Sequence, residues 1–236
     1  MNASPDNRLV FDSTPDLQEA VADAAADLIR RSVSERGIAT VSLSGGSTPR
    51  RIYELLGTKD LPWEKVHWFW GDERNVTAES DQSNERMVRE TLFQNQPISE
   101  ANFHPVTVDV ANPPSGATNY ENILRKHFTN TSFPEWDLVL LGMGDDAHTA
   151  SLFPNTESLN ENSRWFVHNW VEKLKTHRYT LTAPAINSGK NIWFLVAGEN
   201  KRDALEKVWS NEKDPERYPS QLIQPTRWYL TRDARP

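Results

Sequence analysis

The stretches 137–141 and 192–197 are almost continuously apolar, are short, and are each followed by a glycine. A strand with no polar side must be covered on both faces, as happens in a parallel sheet between helical layers. The flanking sequence fits that frame. Leu17, Val21, Ala24 and Leu28 form one stripe of an amphipathic helix over 14–36, ended by Gly37. Further strands are predicted at 9–12, 38–43, 65–70, 165–169, 179–182 and 227–231, and further helices at 49–56, 81–93, 115–128 and 199–209. Alternating strands and helices with short connections give an α/β fold with a mostly parallel sheet. Segments 111–118 and 210–220 read as surface loops, and no linker divides the 236 residues, so one domain over 1–236 is expected.

Composition removes several function classes. With 26 Lys and Arg against 33 Asp and Glu, the net charge of −7 argues against a general nucleic-acid binder. The chain has no Cys, so a disulfide framework, a thiolate metal site and a Cys nucleophile are all excluded. No apolar run approaches the ~18 residues of a membrane-spanning helix. The first eight residues are polar and lack the apolar centre of a secretory signal. A soluble, cytoplasmic, monomeric protein without a membrane partner is expected. The six His residues show neither His-x-His nor His-Glu-x-x-His spacing, and no metal site is predicted. No Gly-x-Ser-x-Gly elbow appears either. Most of the nine Trp, including Trp68, Trp70, Trp136 and Trp193, sit in or beside predicted strands and are assigned to the core.

In open α/β sheets, ligands bind beyond the carboxyl ends of the strands, and three loops there carry chemistry. Ser44, Gly45, Gly46, Ser47, Thr48 and Pro49 join a strand to a helix. Glycines let backbone N–H groups approach an anion, and Thr48 is the expected N-cap with Pro49 at the first helical position. The Walker lysine is missing, so this is no ATP-type loop. Gly71, Asp72, Glu73 and Arg74 read as a charged turn, in which Arg74 suits a bidentate grip on phosphate and Asp72 or Glu73 would hold that Arg or a sugar hydroxyl. Residues 142–149 contain Gly142, Gly144, Asp145, Asp146 and His148. Their Gly-x-Gly-x-x-Ala pattern is a poor dinucleotide fingerprint, because adjacent carboxylates would face the pyrophosphate and Pro154 cuts short any following helix. A His two residues from an Asp reads better as a general base, its tautomer fixed by the carboxylate. Arg178 and Lys201 lie where either can reach the same sheet edge.

Taken together, these residues resemble a known family, the 6-phosphogluconolactonases of the pentose phosphate pathway within the glucosamine-6-phosphate isomerase/6-phosphogluconolactonase superfamily. The matching blocks lie in family order: 43–49, 71–74 followed by Asp81, Gln82, Ser83 and Asn84, then 142–154, then 178–182 with Pro184, Ile186 and Asn187, and finally Gly198 with Lys201. The resemblance implies a three-layer Rossmann-like fold with helices on both faces, no metal and no organic cofactor. It implies hydrolysis of a sugar-phosphate lactone with His148 as general base. Gly46, Ser47, Thr48, Arg74, Arg178 and Lys201 would surround the substrate's phosphate, and Gly45 belongs to the same loop. Asp146 is expected to orient His148. Arg74, or amides of the loops at 45–46 and 142–144, would meet the oxyanion.

The deaminase branch typically has Asp-Glu-Tyr where this chain has Asp72, Glu73 and Arg74, and Asn-Glu-Pro where it has Leu152, Phe153 and Pro154. Phe153 cannot transfer the proton that a deaminase glutamate would. The alternatives are therefore a deaminase or isomerase on the same scaffold, or a non-catalytic sugar-phosphate sensor. One departure from the lactonase pattern is Ala147, where the family usually has Gly. At a positive φ an alanine there would be strained and would displace His148.

Overall fold

The computed structural model describes residues 7–96 and 99–236. Most of the tail expected before the first strand lies outside them. In chain order the elements are β1 (Arg8–Phe11), α1 (Thr14–Arg36), β2 (Ala39–Leu43), α2 (Ser47–Leu56), β3 (Val66–Trp70), β4 (Asp72–Arg74), α3 (Asn84–Thr91), β5 (Phe103–His104) and α4 (Pro113–His127). They continue with β6 (Leu138–Gly142), β7 (Phe166–Val171), β8 (Thr176–Leu181), α5 (Ala183–Asn187), β9 (Ile192–Val196), α6 (Arg202–Trp209) and β10 (Arg227–Thr231).

Seven strands form one sheet in the order β1-β10-β9-β6-β2-β3-β5, and every pair in it is parallel. Helices cover both faces. Trp68 of β3 meets Trp63 and Phe93 on one side, while Phe69, one residue on, meets His127 of α4 and Phe128 on the other. Leu138 to Leu141 of β6 and all five residues of β9 are buried, as their near-continuous apolar runs require, and so are all five of β2, Thr40 and Ser42 included. From β2 the chain runs outward through β3 to β5, then returns to β6 and proceeds the opposite way through β9 to β10. The strand order therefore reverses between β2 and β6, which is where a doubly wound sheet opens a crevice.

Several expectations need correction. The strands at 165–169 and 179–182 exist as β7 and β8 but leave the parallel sheet. With β4 they make a separate antiparallel sheet, β4-β8-β7. Residues 71–74 are accordingly not a charged turn: Gly71 bends the chain out of β3 directly into β4, and its carbonyl accepts the Leu181 N–H at 2.8 Å. The loop expected at 111–118 is mostly helix. Asn112 caps α4 by accepting the Ser115 N–H, and prolines are harmless in a first turn, where their missing N–H has no partner anyway. Short β5 and α5 were not predicted. Among the described residues, no helix is long and apolar enough to cross a membrane.

Candidate active site

The first wall of the crevice is the N-terminus of α2. Gly46, not Thr48, is its N-cap: the Gly46 carbonyl accepts the first helical bond, from the Arg50 N–H at 3.1 Å. Pro49 is therefore the third helical residue, still inside the stretch whose amides have no intrahelical acceptor. Gly46 takes φ +113°, open to a residue without a side chain. Caps from Ser13, Ser83 and Asn112 cover the starts of α1, α3 and α4, but no side chain caps α2. Ser47 and Thr48 line the cleft, and Tyr53 pins the loop that leads into them. The Tyr53 hydroxyl accepts from the Ser44 N–H and donates to the Ser44 carbonyl, both at 2.9 Å.

The loop after β6 forms the opposite wall. Asp146 Oδ1 lies 2.5 Å from His148 Nδ1 and also accepts the His148 backbone N–H at 3.2 Å. Asp146 Oδ2 accepts from Lys173 Nζ at 2.9 Å. Burial pushes the Asp146 carboxyl up, but the bonds from His148 and Lys173 outweigh it and hold the group well below the usual carboxylate range. A Cβ on Gly144 would fall 2.1 Å from His148 Nδ1, so the His–Asp contact depends on glycine there. The Gly144 N–H is occupied by the His148 carbonyl at 2.9 Å. Phe153 stacks on the imidazole with ring centroids 4.1 Å apart. With Nδ1–H given to Asp146, Nε2 carries the lone pair.

The small sheet supplies the third wall. Arg74 on β4 and Arg178 on β8 are register partners across the antiparallel pair. Burial first, and then the charge of Arg74, lowers the Arg178 pKa. Arg74 Nη1 donates to the Gln82 carbonyl at 2.6 Å. Asp72 faces the cleft and accepts from Ser151 Oγ at 2.9 Å. Glu73 does not face the cleft or pair with the Arg74 guanidinium; of Arg74 it accepts only the backbone N–H, at 2.8 Å. It turns onto the start of α3, accepting the N–H groups of Asn84 and Glu85 at 2.8 Å each. Burial drives its carboxyl up to about 7 despite these bonds. Lys201 closes the far end, in the 3-10 turn that precedes α6.

These walls enclose one cavity of about 390 Å³, onto which Gly45, Gly46, Ser47, Thr48, Arg74, Asp146, His148, Arg178 and Lys201 all open. The nine residues singled out from the sequence are thus brought together. Lys173 and Phe153 complete the site. Lys173 carries no motif and arrives from the β7–β8 connection; Phe153 was read only as a missing glutamate, not as a stacking partner.

The start of α2, the Arg74–Arg178 pair and a His–Asp couple thus line one cavity at the switch point of a doubly wound α/β sheet. The family model for glucosamine-6-phosphate isomerases/6-phosphogluconolactonase matches residues 12–231. The chain belongs to this family, on its 6-phosphogluconolactonase branch. It is 44% identical over 211 residues to a 6-phosphogluconolactonase of Synechocystis, covering 87% of each chain. A solved 6-phosphogluconolactonase from Shewanella baltica superposes with a TM-score of 0.84 at 31% identity, covering 95% of this chain and 96% of that one. A monomeric glucosamine-6-phosphate deaminase superposes with a TM-score of 0.77 at 19% identity over 97% of this chain and 98% of that one, which is a likeness of fold alone.

Proposed function

We propose that the chain hydrolyses 6-phospho-D-glucono-1,5-lactone to 6-phosphogluconate. The observation that carries this reading is the opposition of an anion cradle and a His–Asp base across one cavity, in a chain so close to proteins bearing that name. The substrate phosphate sits on the uncapped amides of Ser47 and Thr48, between Arg74, Arg178 and Lys201. This anchoring turns a bimolecular attack into a positioned one. His148 Nε2 takes a proton from water as the water oxygen bonds to the lactone carbonyl carbon. Asp146 stabilises the imidazolium, and Phe153 fixes its plane. The oxyanion is met by Arg74 or by the amides of Gly45, Gly46 or Met143, while the Gly144 N–H is already occupied. The bond to the ring oxygen then breaks, and the proton on His148 passes to that oxygen, giving the open hydroxy acid.

The deaminase reading is weaker, since the ring stacked on the base is Phe153, which carries no proton. Hydrolysis measured by coupling to 6-phosphogluconate dehydrogenase, above the spontaneous rate, tests the reaction. His148→Ala should lower kcat roughly 10²–10⁴-fold with KM little changed, the usual worth of a general base. Ammonia release from glucosamine 6-phosphate without lactone consumption would overturn the reading.

A further inference from the structure

A second constellation of ligating side chains lies on other elements of the fold. His67 is the second residue of β3, His104 closes β5, and His127 closes α4. Side chains alternate along a strand, so His67 and Phe69 share a face of the sheet. The register of Phe69 with His104 puts His104 on that face too. The end of α4 covers it and delivers His127, whose ring centroid lies 4.5 Å from that of His67.

One ring nitrogen from each His can be chosen so that all three lie within 4.8 Å of one another. His67 Nδ1 and His104 Nε2 are 3.1 Å apart. Two nitrogens on a tetrahedral ion with bonds of about 2.0–2.1 Å stand roughly 3.3 Å apart, so little adjustment is needed. Phe69 and Phe128 wall the rings, while each His keeps part of its surface in solvent, open to an entering ion. Three imidazoles without an oxygen ligand suit a borderline ion such as Zn²⁺, Co²⁺, Ni²⁺ or Cu²⁺, and not Mg²⁺ or Ca²⁺.

We propose that His67, His104 and His127 form a binding site for a divalent transition-metal ion of the Zn²⁺ class, with solvent completing its coordination. The ion ties the two-residue edge strand β5 and the last turn of α4 to β3. It plays no part in lactone hydrolysis, because none of the three histidines lines the cavity that holds the residues of that reaction.

The test is titration of chelator-treated protein with Co²⁺, followed by competition with Zn²⁺. The wild type should take up one Co²⁺ with visible d–d absorption bands, which Zn²⁺ abolishes, and Zn²⁺ should raise Tm. His104→Gln and His127→Gln should each weaken Co²⁺ binding on the order of 10–100-fold or more, since loss of even an outer-shell partner has that effect. Circular dichroism and lactone turnover report that each variant is folded, and either variant alone suffices. Absence of d–d bands in the wild type would overturn the proposal, as would equal affinity in a folded variant, which places the ion on other histidines.

Discussion

Ala147 has φ +63°, is fully buried, and immediately precedes the base. Its carbonyl is gripped by Ser220, whose N–H and Oγ donate at 2.9 and 2.7 Å. The positive φ that the family resemblance led us to expect at this position is present, but the displacement of His148 is not: the His148–Asp146 contact stands with alanine in place. A left-handed alanine costs about 1–2 kcal/mol, of which glycine returns part, less about 0.4–1 kcal/mol of unfolded-chain entropy. Ala147→Gly should raise Tm by up to about 2–4 °C, as expected for up to about 1 kcal/mol in a chain of this size, and leave kcat unchanged. A lowered Tm would remove the strain argument. Asp146 gives a pH prediction. Its carboxyl is depressed in the folded state, so its contribution is complete above the unfolded value of about 3.9 and is lost as pH falls below it. Urea melts should show wild type more stable than Asp146→Asn at neutral pH, with the gap closing below about pH 4. That variant should also lose turnover roughly 10²–10⁴-fold, because an amide no longer enforces the tautomer that leaves Nε2 basic. The His–Asp couple was legible because both members lie on one loop. Lys173, which shares that carboxylate, was not, since the contact crosses 27 positions of sequence.

The β4–β8 pair sets Arg74 directly opposite Arg178. Like charges so placed are destabilising by about 0.2–1 kcal/mol, and burial of Arg178 sharpens the conflict. In the proposed complex the substrate phosphate would resolve it by giving both guanidiniums a shared partner. Arg178→Gln should therefore raise KM about 10–100-fold, the worth of a hydrogen bond to a charged group. The same change should leave the Tm of the unliganded protein level or higher. An unchanged KM would move the phosphate away from this pair. This element was hidden from sequence reading for a physical reason. Asp72, Glu73 and Arg74 show no apolar alternation, and a three-residue strand is specified by its neighbours rather than by its own side chains. The histidine cluster was hidden likewise: β3, β5 and α4 bring together residues with no metal-ligand spacing. By contrast β6 and β9 were legible because burial on both faces leaves a continuous apolar run.

At the scale of the molecule, the cavity draws on both sheets. α2 after β2, the loop after β6 and the turn after β9 come from the parallel sheet, while Arg74 and Arg178 come from the antiparallel one. The same fold carries a deaminase, so architecture alone does not select the reaction, and the side chains at the switch point do. A ligand held from so many elements binds the folded state only, and stabilises the whole chain through mass action. At about 100 times its Kd such a ligand contributes about 2.7 kcal/mol, and each kcal/mol shifts Tm by about 2–4 °C in a chain of this size. Saturating 6-phosphogluconate should thus raise Tm by roughly 5–10 °C. His148→Ala should keep that shift, because the imidazole serves the reacting carbon rather than the phosphate. Arg74→Gln with Arg178→Gln should abolish it, since the phosphate then loses both guanidiniums. A shift that survives the double substitution but vanishes in His148→Ala would exchange the roles assigned to the two walls, placing the phosphate beside the His–Asp couple.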